Sequence, residues 1–206
     1  MCYNRSSLRV ILASQSPRRK EILERMGFFG FEVIPAKADE SCPSDWTPAD
    51  VVENLSRRKG LEVAASHPDA LVIAADTVVA IDGRILGKPH SREKAAQMLS
   101  LLSGREHQVY TGVTVCYGGE TVTEHEATPV RFRPLSRADI LRYIATGEPM
   151  DKAGAYGIQG RGCLLVEGIT GDYYNVMGLP VCRLNRLLLR LGVDPLALAA
   201  EGERER

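Results

Sequence analysis

The sequence predicts an α/β protein built on a mixed sheet. Three observations carry that prediction. Short apolar strand segments alternate with segments of helical periodicity through the first half of the chain. Ala70 to Ala75 is a continuous apolar run, the pattern of a strand covered on both faces. In the second half, two long strand-like segments bracket Gly118-Gly119, which predicts an antiparallel hairpin.

The elements follow in order. Leu8 to Ala13 reads as a short buried strand. Ser14-Gln15-Ser16-Pro17 then opens a helix, with Ser16 as N-cap and Pro17 at the first helical position, where its missing N–H costs nothing. Ile22, Leu23 and Met26 recur at helical spacing, and Gly27 is the expected stop. A strand over Phe29 to Ile34 and a polar loop through Trp46 come next. Thr47 and Asp50 form a capping box with Asp in place of Glu, and the helix they open carries Val52, Leu55, Lys59 and Val63 on one face. Lys59 is the odd member of that apolar stripe. Beyond the run at 70–75, Val78 to Ile81 and Arg84 to Leu86 flank Asp82-Gly83, a hairpin signal. Ser91 to Leu102 is an amphipathic helix. Gln108 to Tyr117 and Glu120 to Phe132 form the long hairpin. Ser136 and Asp139 cap a helix running to about Thr146. Residues 147–163 read as a Gly-rich loop, and Val181 to Leu191 as the last helix before a charged, frayed tail over residues 197–206. There is no internal repeat.

Composition narrows the function. The 206 residues hold 26 Lys+Arg against 26 Asp+Glu, so the formal net charge is zero. A nucleic-acid binder draws its affinity from excess cations, and a polybasic membrane-surface protein does likewise, so both classes are disfavoured. No apolar stretch approaches the roughly 20 residues needed to cross a bilayer. The polar stretch Met1 to Ser7 is no signal peptide, and Cys2 excludes N-myristoylation. Five scattered cysteines without a Cys-x-x-Cys pair read as free thiols, and the four histidines lack metal-ligand spacing. These features together point to a cytoplasmic protein.

Six features could carry chemistry. Ser14, Ser16, Arg18 and Arg19 lie where a strand passes into a helix. Cations in a helix's first turn are disfavoured unless an anion is present, so this turn reads as an oxyanion site. Asp76 and Thr77 follow a buried strand, at the kind of strand end where ligands gather in α/β sheets. Lys88-Pro89 follows the short hairpin, Lys59 interrupts the apolar stripe, and Asp39-Glu40 is acidic. The segment Asp151 to Gly160 has glycines dense enough for close backbone approach to a ligand. Cations aimed at phosphate and carboxylates suited to a hard divalent metal are what phosphoryl chemistry needs.

The sequence resembles the Maf family of nucleoside triphosphate pyrophosphatases over roughly Arg9 to Asp194. The matching motifs are Leu12 to Arg19, Ala75-Asp76-Thr77, Lys88-Pro89, Leu102 to His107, Glu148 to Gly154, Tyr156 to Gly160 and Val176 to Pro180. The resemblance implies one domain over residues 1–206 with a core at about 8–194. Its fold would be that of the inosine triphosphatases, two lobes around a central cleft. It also implies hydrolysis between the α- and β-phosphates and a divalent cation, Mg²⁺ or Mn²⁺. A homodimer rests on the resemblance alone. By the same resemblance Asp76 is the proton acceptor, Glu40 holds metal, and Arg19, Lys59 and Lys88 contact phosphate; the physical reading of the mechanism adds Asp76 as a candidate metal ligand. Arg18, Thr77 and Gln159 match the branch similar to dTTP/UTP pyrophosphatases, whereas the branch acting on 7-methyl-GTP carries Trp, Gln and Glu there. Gln159 can read a pyrimidine edge, because its amide both donates and accepts.

Two departures stand out. Met26 to Phe31 is about one residue longer than the family pattern, which makes Asp39 a competitor for the role of Glu40, and Gly87 precedes Lys88 where Glu is common. Three competing readings stand beside this one: a 7-methyl-GTP pyrophosphatase, a non-catalytic nucleotide-binding regulator of cell division, and a generic α/β binding domain, which explains the composition but not the clustered cations.

Overall fold

The computed structural model describes residues 8–204, and side chains through residue 200. Met1 to Ser7, with Cys2, and residues 205–206 of the expected tail lie outside the described residues. The first half of the chain runs β1 (Val10–Leu12), α1 (Pro17–Arg25), β2 (Glu32–Val33), α2 (Pro48–Ser66), β3 (Leu71–Ile81), β4 (Arg84–Leu86) and α3 (Arg92–Leu102). The second half runs β5 (Glu106–Tyr117), β6 (Glu120–Phe132), α4 (Arg137–Ala145), three 3₁₀ turns, β7 (Val166–Ile169), α5 (Tyr173–Met177), α6 (Val181–Arg190) and α7 (Pro195–Arg204).

Among the described residues one mixed sheet holds all seven strands, in the order β2-β1-β3-β5-β6-β7, with β4 on β3. β1 runs parallel to β2 and β3, and the other pairs are antiparallel. The runs at 70–75 and 78–81, expected as separate segments, are one strand. β5 explains why: it pairs with β3 continuously from Val72 to Ala80, and so carries Asp76 and Thr77 within the ladder.

The other edge of β3 is divided. β1 pairs with Leu71 to Ile73 and β4 with Val79 to Ile81, which leaves residues 74–78 without a strand neighbour on that side. Two hydrophobic clusters flank the division and make the two lobes. One joins Leu12, Ile22, Leu23, Ile73, Val113, Leu179 and Leu184, and the other joins Val79, Leu99, Val109, Phe132, Ile144 and Tyr156.

Local signals set the helix starts. The Thr47–Asp50 and Ser136–Asp139 capping boxes both form. Val52, Leu55 and Val63 are buried as their spacing requires. α2 lies hard against β5, because a Cβ at Gly112 would stand 2.1 Å from the Val52 carbonyl oxygen.

Several expectations are corrected. β1 and β2 are shorter than drawn from sequence. Ser16 occupies the N-cap position of α1, but its side chain makes no capping bond. The 147–163 segment is ordered as 3₁₀ turns at Glu148–Asp151, Ala153–Ala155 and Arg161–Leu164. Glu148 organises it, accepting from the Tyr143 hydroxyl at 2.9 Å and from the Arg161 and Gly162 N–H groups at 2.8 and 3.0 Å. At Gly160 a side chain would collide with that carboxylate, so this glycine serves the loop's own fold rather than a ligand's approach. α7 carries the chain on as helix from Pro195 to Arg204, so the expected tail is helical over residues 197–204. It packs Leu198 against the first cluster.

Candidate active site

The division in the sheet edge opens into a cavity of about 770 Å³ lined from both lobes. Strand alternation sends Asp76 to the face covered by α2 and Thr77 to the opposite face, beside α1 and α5. A group lying in the gap can therefore be reached from both sides of the sheet.

On the α2 face, Lys59 and Asp76 are mostly buried, with side chains 15% and 14% exposed, and the ammonium is 2.6 Å from Asp76 Oδ1. The same ammonium is 2.7 Å from Glu40 Oε1, in the loop before α2. Burial pulls the Lys59 pKa down, but attraction to Asp76 and hydrogen bonds to Asp76 and Glu40 outweigh it and leave the amine above its ordinary value. The hydrogen bond from Lys59 is also the main reason the Glu40 carboxyl lies below the usual range. The two neighbouring acids point different ways. Glu40 lines the cavity, while Asp39 turns back to accept from its own Ser41 N–H at 2.9 Å and from the Ser41 hydroxyl.

On the opposite face, Arg19 is held by three bonds: Nε to the Gly178 carbonyl at 2.7 Å, Nη1 to Ser14 Oγ at 2.9 Å and Nη2 to Thr77 Oγ1 at 3.0 Å. Burial lowers its pKa, an effect Asp76 partly opposes, although a guanidinium stays charged at any physiological pH. Hydrogen-bond accounting then assigns the hydroxyl protons. Thr111 donates to the Asn175 carbonyl at 3.1 Å, so Thr77 donates to Thr111 and accepts from Arg19. Ser14 Oγ accepts from both Arg19 and the Ser16 N–H, which leaves its own proton to give to an oxyanion.

Ser16 and Arg18 line the cavity at the start of α1, exposed Lys88 lines it just past β4, and Gln159 lines it from the 3₁₀ segment. The catalytic, phosphate, specificity and metal candidates named from sequence thus meet at one cavity, whereas Asp39, Pro89 and, within the 151–160 segment, Gly154, Ala155 and Gly160 do not line it. Sequence reasoning missed Thr111, Asn175 and the Gly178 carbonyl, which hold Arg19 and Thr77 from below. It also missed His90 and Lys152 on the wall; Lys152 donates to the Glu148 carbonyl at 2.8 Å and to Asp151 at 2.7 Å. Lys152 left a trace within the Glu148 to Gly154 motif and the 151–160 segment, and Gly178 within the Val176 to Pro180 motif; Thr111, Asn175 and His90 left none.

A family model described as Maf-like protein matches residues 9–191, from just before β1 to just past α6. A dTTP/UTP pyrophosphatase of Moorella thermoacetica is 54% identical over 189 residues, 90% of this chain and 96% of that protein. A dTTP/UTP pyrophosphatase of Symbiobacterium thermophilum is 51% identical over 183 residues, 89% of this chain and 94% of that protein. Among solved structures, a nucleoside-triphosphatase, dITP/XTP pyrophosphatase, from Mycobacterium abscessus aligns with a TM-score of 0.43 at 15% identity, covering 89% of this chain and 98% of its own. With the family's pattern spanning nearly every element of the sheet, and about half of all residues shared with relatives over almost their whole length, the chain belongs to the Maf-like protein family.

Proposed function

We propose that the protein is a nucleoside triphosphate pyrophosphatase that hydrolyses the bond between the α- and β-phosphates of dTTP and UTP. The products are the nucleoside monophosphate and pyrophosphate, and the role is clearance of unwanted nucleotides from the pool. The observation that carries this reading is the pairing of a carboxylate–ammonium–carboxylate cluster, Asp76–Lys59–Glu40, with an anchored guanidinium across one gap in the sheet. The names of the relatives support the substrate choice, as do Arg18, Thr77 and Gln159.

The chain's own residues divide the work. Arg18, Arg19, Lys59, Lys88, the Ser14 and Ser16 hydroxyls and the uncapped N–H groups of α1 hold the triphosphate and spread the charge that grows in the transition state. Asp76 accepts a proton from the water that attacks the α-phosphorus. The bond from that phosphorus to the bridging oxygen breaks, and pyrophosphate leaves with the electron pair. Lys59 holds the Asp76 carboxylate in place until substrate arrives.

A divalent cation, Mg²⁺ or Mn²⁺, fits the donors present, because the two carboxylates that share one ammonium offer hard oxygens to one hard ion. Glu40 and Asp76 would hold it. Among the described residues no three His, Cys, Asp or Glu side chains gather into a metal cage, so phosphate oxygens and water would complete its shell. Bound there, the ion supplies Lewis-acid polarisation of the phosphoryl oxygens.

The test is pyrophosphate release by purified protein with dTTP, UTP, CTP, GTP and 7-methyl-GTP, with Mg²⁺ or Mn²⁺ added and with metal chelated. dTTP and UTP should lead the series, and chelation should abolish release. Preference for the methylated purine would refute the substrate choice, and silence with every triphosphate would refute the activity. The reading includes a cytoplasmic location, which the free Cys42, Cys116, Cys163 and Cys182 support. No helix among the described residues is long and apolar enough to cross a membrane. It also includes a homodimer, for which sedimentation is the check.

A further inference from the structure

Gln159 does not face the cavity unassisted. Its Nε2 donates to Glu21 Oε2 at 2.5 Å, across 138 residues of sequence, from the 3₁₀ segment to α1. Glu21 Oε1 accepts in turn from Arg25 Nη2 at 2.6 Å one helical turn later, and Arg25 also reaches Tyr174 on α5. Gln159 lines the cavity and Glu21 does not, so the carboxylate grips the amide from outside the binding space.

This arrangement settles an ambiguity built into glutamine. A free amide can present either its oxygen or its NH₂ group to a ligand, since a half-turn of the terminal torsion exchanges them. An ionised carboxylate only accepts, so Glu21 admits only the NH₂ side. The bond from Gln159, with Arg25 behind it, keeps the Glu21 carboxyl below its usual range and so ionised. The amide oxygen is then turned away from Glu21, with one N–H of the same amide left beside it.

From this geometry we infer that Glu21 is a positioning residue for base selection: it fixes the Gln159 amide oxygen as an acceptor and thereby favours bases whose ring nitrogen carries a proton. Uracil and thymine present N3–H beside a carbonyl, which the amide oxygen and its remaining N–H can meet as a pair. Cytosine presents a bare N3 beside an amino group, so acceptor meets acceptor and donor meets donor. Gln159 is exposed, and a base seated on its amide would cover it; the reversed pattern then leaves polar groups unpaired beneath that base. The inference deepens the proposed activity and rests on it for the substrate class.

The test compares wild type, Glu21→Ala and Glu21→Gln with UTP, CTP and N3-methyluridine triphosphate, measuring kcat and KM separately and binding by calorimetry without metal. Glu24→Ala, on the same helix, is the control. Glu21→Ala should lower the UTP-to-CTP ratio of kcat/KM about tenfold, the scale of one misdirected hydrogen bond. The loss should fall on KM for UTP, with kcat at saturation changed by less than about twofold. Wild type should discriminate against the N3-methyl substrate and Glu21→Ala much less so. Glu21→Gln, which can accept but no longer must, should lie between. Equal losses for UTP and CTP, or the same change in Glu24→Ala, would overturn the inference and leave the activity standing. If no triphosphate is hydrolysed but binding favours UTP over CTP in a Glu21-dependent way, the activity reading falls and this inference survives. A wild type that binds UTP and CTP alike refutes the inference directly.

Discussion

A single methyl group added at Gly112 should pull the charged cluster apart. Gly112 stands opposite Asp76 in the β3–β5 register, and α2 crosses it so closely that a Cβ would lie 2.1 Å from the Val52 carbonyl oxygen, 2.4 Å from its carbon and 2.8 Å from the Glu53 nitrogen. All three atoms are backbone, so no rotamer change can relieve the clash. Ordinary contact begins at 3.4 Å, which requires the helix or the strand to retreat by more than 1 Å. Overpacking of this kind costs roughly 1–3 kcal/mol, or roughly 2–12 °C of melting temperature at this chain length. Lys59 lies two turns beyond Val52 on the same helix, and its 2.6 Å contact with Asp76 has no slack to absorb such a shift. Misplacing a reacting group by about 1 Å can cost up to 10²-fold in rate. The assay is a thermal melt followed by circular dichroism, together with initial rates of pyrophosphate release from UTP. Gly168→Ala, where an added Cβ meets nothing within 4 Å, is the control. If Gly112→Ala melts and turns over like that control, the view that close helix–sheet contact sets the site's geometry is wrong.

Three further outcomes are expected. Asp76→Asn should fold but lose about 10²- to 10⁴-fold in kcat; wild-type turnover would remove Asp76 from the base role. Arg19→Lys cannot serve Gly178, Ser14 and Thr77 from one ammonium, so it should raise KM for UTP at least about tenfold and cost roughly 1–3 kcal/mol in a denaturant titration. His107 is buried on Tyr156 and Phe132, and burial depresses its pKa to about 4. The unfolded chain takes up that proton near pH 6.5 while the folded chain does not. Stability is therefore whole above pH 6.5 and falls by roughly 3 kcal/mol as pH drops to about 4. Denaturation midpoints across that range should decline less steeply in His107→Phe.

What could be read in the sequence was what is local. Thr47 with Asp50 and Ser136 with Asp139 announce helix starts because their bonds close within three residues. Lys59 was visible because a cation is out of place in an apolar stripe. Distant partners left no such mark. Thr111 and Asn175 look like ordinary polar residues in a strand and a short helix, yet they fix Thr77, which steadies Arg19. Gly112 carries no positive φ and sits in mid-strand, so nothing in the chain reveals that α2 needs its missing side chain. Spacing could not tell which of Asp39 and Glu40 lines the cavity, since that depends on a turn that Ser41 closes on Asp39. β7, with four residues, and α5, with five, are too short for periodicity to register.

The divided edge of β3 also bears on solubility. Residues 74–78 form a length of strand edge that a foreign strand could extend, the usual seed of intermolecular β-pairing. Here the ends of β1 and β4 close it off above and below, and charged side chains border it. The free edge spans only residues 74–78, so it offers a short template for pairing. Variants that loosen either lobe should therefore be prone to self-association before they are fully unfolded, and a bound triphosphate should protect against it.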